Sequence, residues 1–379
     1  MSQARIPHSL EPVVDTRAPR IAHAAVALPE NSYTQAELSA RLARRWADRP
    51  KALGALRKLH GAMAVDRRCL ALPMDDYDDL KDFGAANDAF IRVGTELGAR
   101  AVRDALAGAG LEPTDVDALF FTTVTGLAVP TIDARLANVL HLRSNVRRTP
   151  MFGLGCVGGA AGIARASDYL RGHPDHVAVL LSVELCSLTL QEDLSVPNLI
   201  ASGLFGDGSA AVVLVGAEHK AAAHRVAPLN AGTRRRGPVV IDSASALFPD
   251  TERVMGWDVG GSGFKIVLSA DVPKIVHERL PAEVDGFLAA HGLRRTDIQH
   301  WVCHPGGPKV ITAMEQALAL PENALALTRA SLQSIGNLSS ASVLHVLSQT
   351  MEGARPGDKG LLMAMGPGFC AELVLLSWQ

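Results

Sequence analysis

Residues 151–160, MFGLGCVGGA, place Cys156 between glycines and directly before an alanine-rich run. Glycine on both sides lets the backbone turn sharply and lets a substrate approach closely. The apolar residues before the segment and the alanines after it predict a strand that leads through a tight turn into a helix. A thiol at a helix start feels the positive end of the helix dipole, which favours the thiolate. The segment therefore predicts a nucleophile, although a free cysteine is more often a buried structural residue.

The same segment satisfies the G-x-G-x-x-G pattern of dinucleotide-binding loops through Gly153, Gly155 and Gly158. We reject that interpretation because a cysteine sits inside the loop and no acidic residue ends the following strand. Asp175 precedes that strand instead.

Outward from Cys156, apolar runs typical of strands alternate with helical patterns, which indicates an α/β architecture. The predicted strands cover residues 118–124, 147–152, 177–183, 209–215, 300–303, 360–365 and 371–378. The predicted helices cover residues 34–46, 94–109, 132–141, 271–290 and 308–319, with two more that begin near Cys156 and Asn337. Residues 217–260 are expected to be insertions or connections.

The spacing suggests an internal duplication. Thr123 and Cys156 are 33 residues apart, and so are His304 and Asn337. We therefore predict two similar halves packed face to face, so that equivalent loops and helix starts converge on one site. The first half, residues 21–225, carries the cysteine, and the second, residues 226–379, carries His304 and Asn337. Residues 1–20 are expected to form a flexible tail.

Composition limits the possible functions. The 379 residues are 48% hydrophobic and 20% charged, with a net charge of −2, so no general attraction to nucleic acid or to anionic membranes is expected. No stretch reaches the roughly 18 consecutive apolar residues that a membrane-spanning helix needs, so no such helix is predicted. The five cysteines are scattered and lack the paired spacing of a zinc site, which predicts free thiols in a cytoplasmic protein.

Two further segments carry polar residues suited to chemistry. In WVCHPGGP, His304 ends an apolar strand before a rigid turn, where an imidazole can stabilise a thiolate or a developing oxyanion. Metal binding by His300, Cys303 and His304 is disfavoured because these residues alternate faces of a strand. In SIGNLSSAS, Asn337 precedes a helix and is either a helix cap or a neutral hydrogen-bond donor beside the cysteine and histidine.

Five motifs together resemble one known family. They are GCVGG around Cys156, LFGDGSAA at 204–211, HPGGP at 304–308, GNLSSAS at 336–342 and MGPGF at 365–369. In this order and spacing they resemble the type III polyketide synthases, the chalcone-synthase-like members of the thiolase-fold condensing enzymes. The resemblance covers nearly all of the chain from about residue 20 onward, and it implies a thiolase-like αβαβα layered fold made of two duplicated halves.

The resemblance implies a catalytic triad of Cys156, His304 and Asn337. The cysteine would take the acyl group of a starter acyl-CoA. The imidazole and the amide would donate hydrogen bonds to malonyl-CoA while it loses CO₂, and the resulting enolate would attack the acyl group. Neither a bound cofactor nor a metal is implied, and acyl-CoA and malonyl-CoA are substrates.

The resemblance also assigns the walls of the cavity. Phe205 and Phe264 correspond to two gatekeeper phenylalanines, and Cys186 and Thr189 lie in the region that lines the cavity. The MGPGF turn, which contains Pro367, could provide an acyl oxyanion hole through its backbone N–H together with that of Cys156.

A homodimer without a carrier-protein arm is implied, with Val129 edging the cavity of the partner subunit. Arg57, Lys58 and Arg68 lie where family members bind the phosphates of CoA, although Ala62 replaces one lysine of that set.

The substrate is less determined by the motifs. ELCSLTLQ at 184–191 and the region 255–273 look like bacterial members that make alkylpyrones or alkylresorcinols, which predicts a medium- or long-chain fatty acyl-CoA starter and pyrone or resorcinol-type products. A synthase of the 1,3,6,8-tetrahydroxynaphthalene type, which uses malonyl-CoA only, is the competing interpretation. A carrier-protein-dependent ketoacyl synthase III is disfavoured by the Pro-Gly-Gly after His304. A papain-like hydrolase lacks the expected sequence around Cys156, and a non-catalytic interaction protein would require an inert Cys156 thiol.

Overall fold

The computed structural model describes residues 17–223 and 237–379. The strands are β1 (Arg20–Ala27), β2 (Asn31–Thr34), β3 (Arg67–Leu70), β4 (Ala118–Thr123), β5 (Arg147–Phe152), β6 (Val177–Leu185), β7 (Asp207–Val215), β8 (Val239–Leu247), β9 (Met255–Gly260), β10 (Gly263–Leu268), β11 (His300–Cys303), β12 (Lys359–Gly366) and β13 (Cys370–Ser377). The helices are α1 (Gln35–Arg45), α2 (Pro50–Gly61), α3 (Phe83–Ala109), α4 (Ile132–Val139), α5 (Gly158–Gly172), α6 (Val196–Leu204), α7 (Lys220–Ala223), α8 (Val272–Ala290), α9 (Pro308–Ala317), α10 (Ala326–Ile335) and α11 (Ser340–Gly353).

Helix ends follow local chemistry. Thr34 caps α1 through a capping box with Glu37, in which each side chain bonds the backbone N–H of the other residue. Gly110 ends α3 with a φ of 70°, a left-handed conformation that glycine adopts without a Cβ clash. Both predicted ends are confirmed, although α3 starts at Phe83, before the predicted residue 94.

The two halves share one strand plan. A nine-stranded sheet has the order β11-β12-β13-β8-β1-β7-β6-β4-β5. From the junction between β1 and β8, each side continues with an antiparallel partner and ends in parallel strands. Strands β4 and β6 thus correspond to β11 and β12, and helix α5 corresponds to α11.

Side chains alternate between the two faces of each half-sheet, which produces three cores. The first core lies between α3 and the strands of the first half. The middle core contains α5 and α11 together with inward residues from both halves. The third core lies between the second half and helices α8 and α9. This layering confirms the predicted αβαβα fold of thiolase type.

Close contact between α5 and α11 depends on Gly159. A Cβ at this position would lie 2.3 Å from the carbonyl oxygen of Ser340, at the start of the opposite helix. Only glycine allows the two helix starts to meet, which is how the fold brings the Cys156 and Asn337 segments together.

Some sequence predictions need correction. Residues 217–260 contain the whole of β8 and of β9, which form sheet structure rather than mere connections. Arg20 already belongs to β1, so the last residue of the predicted tail is ordered within the sheet. The rest of the tail up to residue 16 and the predicted boundary at 225/226 lie outside the described residues. The division into two domains stays a prediction.

Candidate active site

Cys156 lies in a short 3-10 turn, Gly155–Val157, directly before α5. It is 8% exposed and lines a large cavity. Gly155 has a φ of 54°, and a Cβ there would lie 2.6 Å from the Cδ of Pro367. Glycine is therefore required for the 365–369 turn to pack on the cysteine, and this turn places Pro367 on the wall of the same cavity.

His304 follows the last residue of β11, where its backbone N–H donates to the Met363 carbonyl at 2.9 Å. The residue is 5% exposed and lines the same cavity as Cys156. Neither ring nitrogen has a hydrogen-bond partner among the described residues. Because buried polar atoms are normally paired, these nitrogens point to a partner that a ligand supplies.

Asn337 lies between α10 and α11. Its backbone N–H donates to the Leu204 carbonyl at 2.9 Å, and its carbonyl accepts from Gly206 at 3.0 Å. Its Oδ1 accepts from the backbone N–H of Ser339 at 2.8 Å. A backbone N–H can only donate, so this bond fixes which end of the amide is oxygen. The NH₂ group is then directed away from that turn, and Asn337 lines the cavity.

The thiol, the imidazole and the amide thus line one cavity of about 590 Å³. Most of its other walls are apolar and come from the end of α2, from α6 and from strands β10 and β12. The predicted convergence of the two halves on one site agrees with this geometry.

Sequence reasoning missed Ser339. Its Oγ lies 3.8 Å from the Sγ of Cys156, and its backbone holds the Asn337 amide. Its φ of 49° and ψ of −126° are unusual for a residue with a side chain, and such strain tends to cluster at functional sites. The GNLSSAS motif contains this serine, but nothing in the one-dimensional pattern singles it out.

Sequence profiles of the chalcone and stilbene synthases match both parts of the chain, the N-terminal domain over residues 83–219 and the C-terminal domain over residues 240–378. The chain belongs to the chalcone and stilbene synthase family. The resemblance to type III polyketide synthases is therefore confirmed.

Individual relatives extend over nearly the whole chain. A 1,3,6,8-tetrahydroxynaphthalene synthase from Streptomyces peucetius subsp. caesius is 49% identical over 97% of this chain and 94% of its own length. The crystal structure of a tetrahydroxynaphthalene synthase from Streptomyces coelicolor A3(2), a bacterial type III polyketide synthase, has a TM-score of 0.84 at 30% identity and covers 95% of this chain and 99% of that one. PKS-I from the brown alga Ectocarpus siliculosus has a TM-score of 0.86 at 27% identity, with 97% and 100% covered.

As a type III polyketide synthase, the protein is an acyltransferase that catalyses decarboxylative condensation, as predicted. The predicted fatty acyl starter gains no support from these relatives. Two of them are named for tetrahydroxynaphthalene, which favours the competing interpretation.

A second cavity of about 90 Å³, called the side cavity below, adjoins the catalytic cavity of this synthase. Cys186, Phe205, Trp257 and Ile266 line both cavities and so form the partition between them. The positions of Cys186 and Phe205 agree with the expected cavity wall. Thr189 lines the side cavity and does not line the catalytic one.

The gatekeeper assignment of Phe264 is not supported by its position. Its ring packs against Phe83 at 5.5 Å, Trp257 at 6.0 Å and Phe152 at 6.5 Å between centroids, and it lines neither cavity. Ile266 follows two residues later on the same face of β10 and occupies the partition instead. The sequence alone could not show that the wall position on β10 lies two residues after Phe264.

Val129 is 97% exposed and does not line the catalytic cavity of its own chain. Its predicted role at the edge of a partner's cavity therefore depends on a dimer and stays a prediction.

The three predicted CoA contacts fall into two groups. Arg57 and Lys58 are exposed on α2, whose last turn contributes Leu59 to the cavity wall, so both lie on the helix that borders the cavity. Arg68 is 3% exposed and donates to the Phe205 carbonyl at 2.7 Å, a position that argues against contact with a surface phosphate. Lys309, which the motifs did not single out, is exposed and lines the cavity.

Burial acts against charge at the two reactive groups. It raises the pKa of the Cys156 thiol to about 12 and lowers the pKa of His304 to about 3. Burial alone therefore keeps both groups neutral near pH 7, which opposes the thiolate predicted from the helix start. A thiolate therefore requires an interaction that offsets the cost of burying its charge. Transfer of the thiol proton to His304 would supply it, because the transfer creates two opposite charges rather than a single buried one.

Glu184 lies behind the site and was not predicted. Its carboxylate accepts hydrogen bonds from the Val124 N–H at 3.1 Å, from the Thr125 hydroxyl at 2.9 Å and from the Ser340 hydroxyl. It thereby ties β6 to the loop after β4 and to the start of α11.

Proposed function

We propose that this synthase uses malonyl-CoA as both starter and extender and releases a hydroxylated naphthalene of the 1,3,6,8-tetrahydroxynaphthalene type. The observation that carries the proposal is the 49% identity, over 97% of the chain, to a synthase named for that product. A naphthalene skeleton is consistent with a chain built wholly from two-carbon units, so malonyl-CoA can supply every carbon.

In this proposal Cys156 is the acyl carrier. As Sγ attacks the thioester carbonyl, the thiol proton passes to His304, and collapse of the tetrahedral intermediate expels the CoA thiolate, which takes that proton back. The short distance from Sγ to the Ser339 hydroxyl, 3.8 Å, supports a further stabilising contact to the developing thiolate.

His304 and Asn337 bind the thioester oxygen of the extender. Loss of CO₂ leaves an enolate whose negative charge falls on that oxygen, and the two donors stabilise it. The free ring nitrogens of His304 and the fixed amide of Asn337 support this role. The lowered pKa of His304 suits it as well, since a neutral imidazole donates a hydrogen bond without supplying the proton that would quench the carbanion.

CoA itself would be held at the cavity mouth by Arg57, Lys58 and Lys309. Lys309 has no ion-pair partner in the described part of the chain, so it is available for a phosphate. Neither a bound cofactor nor a metal takes part, because the thioester and the loss of CO₂ supply the driving force.

The predicted homodimer would cover hydrophobic surface. Edge strand β5 is largely exposed, Phe152 at its end is 51% exposed, and Val129 is almost fully exposed. Exposed edges and large apolar side chains of this kind are typical of interfaces. Among the residues that the structure covers, no helix is long and apolar enough to cross a membrane. The five free cysteines fit the cytoplasmic location that we propose.

The proposal is tested with the purified enzyme and a panel of acyl-CoA starters, with products identified by mass. We expect malonyl-CoA alone to give a tetrahydroxynaphthalene at a rate that octanoyl-CoA does not increase. Dominant octanoyl-primed pyrones or resorcinols would instead restore the fatty-starter interpretation.

A further inference from the structure

The side cavity contains a buried cation, Arg68, that forms no direct ion pair. The guanidinium of Arg68 donates through Nη1 to the Phe205 carbonyl at 2.7 Å and through Nη2 to Oε1 of Gln35 at 3.0 Å. Its Nε has no partner, and no carboxylate of the described chain lies within the 4.0 Å of an ion pair. The buried Asp207 carboxylate attracts Arg68 from beyond that distance, but its oxygens already accept hydrogen bonds from Ala71 and Ser187. The unpartnered Nε can therefore still take a second anion, which would lower the cost of the buried charge.

The other arginines of the side cavity differ in this respect. Arg41 and Arg45 both form ion pairs with Asp78, and Arg45 also pairs with Glu192. No acidic side chain lines the side cavity among the described residues. Burial lowers the pKa of Arg68 to about 10, which still leaves it charged at neutral pH. Of the three arginines that line the side cavity, Arg68 is therefore the one without a direct ion pair in the described chain.

The proposed function produces a carboxylate on the growing chain that requires a binding site of this kind. A chain primed by malonyl-CoA carries the starter carboxylate at the end remote from Cys156. Because the naphthalene is built wholly from two-carbon units, this carboxylate must leave as CO₂, with a proton in its place, after the last extension. That carboxylate must be kept away from His304 and Asn337, because those donors promote loss of CO₂ from the extender. Lys309 is the one Lys or Arg that lines the catalytic cavity in the described chain, and the proposed function assigns it to CoA.

The side cavity is adjacent and has a suitable size. The partition residues Cys186, Phe205, Trp257 and Ile266 line both cavities, so the two cavities meet along these side chains. The side cavity, at about 90 Å³, has room for about three waters, which is enough for a carboxylate and the carbon that bears it.

We propose that Arg68 binds the terminal carboxylate of the elongating malonyl-primed chain in the side cavity, after the chain end has passed the partition. This site rests on the proposed function. It selects starters that end in a carboxylate over starters of equal length that end in a methyl group.

The test compares matched acyl-CoA pairs, glutaryl-CoA with pentanoyl-CoA and adipyl-CoA with hexanoyl-CoA. The rate of Cys156 acylation is measured by intact mass, and the carboxyl-to-methyl ratio of rates is the readout. We expect Arg68→Gln to lower this ratio roughly tenfold or more, the size of a lost charged hydrogen bond. Arg68→Lys, which keeps the charge, should retain part of it.

A structural role of Arg68 would slow both members of a pair equally and leave the ratio unchanged, which would overturn the proposal. Lys309→Gln is the matched control in the catalytic cavity, and it should slow both members together. If it lowers the ratio instead, the carboxylate lies at the mouth and the assignment to Arg68 is wrong. Arg295→Gln, which removes an ion pair with Asp285 outside both cavities, controls for the loss of any arginine.

A measurement on the unmodified protein covers the case in which Arg68→Gln does not fold. The monomethyl ester of glutaryl-CoA has no terminal charge, so its acylation rate should fall below that of glutaryl-CoA by a similar factor, and equal rates would contradict the site. Because the acylation rates are measured before any polyketide is formed, they test the Arg68 site separately from the proposed product. Failure to form a naphthalene with an intact ratio would overturn only the proposed function.

Discussion

The two halves place different chemistry at equivalent positions. At the end of β4 in the first half, the Thr123 hydroxyl lies 3.4 Å from the Glu184 carboxylate. The Thr125 hydroxyl, in the loop that follows, lies 2.9 Å from the same carboxylate. At the corresponding end of β11 in the second half, His304 has two nitrogens without any partner in the described residues. The polar side chains at the end of β4 are thus engaged in internal hydrogen bonds, whereas His304 at the end of β11 is available to a ligand. The two halves share one strand plan, and the hydrogen bonds of their side chains make one strand end structural and the other catalytic.

The helix starts differ in the same way. Cys156 precedes α5 and Asn337 precedes α11, and both line the cavity. The cysteine can form a covalent bond, whereas the amide is restrained by Ser339 and can only donate. We therefore expect a change at Cys156 to abolish formation of the acyl-enzyme and a change at Asn337 to slow decarboxylation.

The largest effect is expected for Cys156→Ala. Without the sulfur no acyl-enzyme can form, so incubation with an acyl-CoA should add no mass to the protein, whereas the unchanged protein gains one acyl group. Thermal unfolding should show that the variant is folded. Retention of the adduct would assign the nucleophile to another of the five cysteines.

His304→Ala should reduce decarboxylation of malonyl-CoA by roughly a hundred- to a thousandfold, the usual effect of losing an oxyanion donor. It should also raise the apparent pKa of Cys156 in the pH profile of iodoacetamide alkylation. The sign follows because burial raises this pKa towards about 12 and an imidazolium opposes the rise. Unchanged CO₂ release by a folded variant, or superimposable alkylation profiles, would refute the corresponding role.

Glu184→Gln probes the anchor of the first half through stability. Burial raises the pKa of Glu184 from 4.5 to about 7 despite the hydrogen bonds that lower it. The folded state then binds more protons than the unfolded state, so the free energy of unfolding falls as the pH rises between these values. The glutamine stays neutral and should abolish this fall, which is worth about 3 kcal/mol.

Urea unfolding between pH 5 and pH 8 measures the effect of Glu184→Gln. Glu315→Gln, which removes an ion pair with Arg329, is the control. An unaltered pH dependence in Glu184→Gln would mean that this carboxyl titrates normally.

The smallest effect is expected for Ser339→Ala. The variant keeps the backbone bond to Asn337 and loses only the hydroxyl 3.8 Å from the cysteine sulfur. Acylation should slow about threefold, in keeping with one weak hydrogen bond to sulfur. Ser348→Ala, later on α11, should have no effect, and equal rates in both variants would remove Ser339 from the site.

Much of the architecture could be predicted from local patterns. The alternation of apolar runs, the glycine at 110 and the 33-residue spacings indicated the layered fold of two halves. Hairpin β9–β10 and strand β8 were missed because half-exposed strands lack a continuous apolar run. The assignment of Phe264 to the cavity wall came from the family resemblance, and the structure places Ile266, two residues later on β10, at that wall.

The sequence by itself determined the family, the two halves and the order of the thiol, imidazole and amide segments, because glycine placement and side-chain periodicity act over short distances. Only the tertiary structure decided that Ile266 and Trp257 border the cavity, that Arg68 is buried, and that Ser339 contacts the cysteine. Those properties depend on which distant segments meet across α5 and α11, and burial and hydrogen-bond partners exist only after that packing has formed.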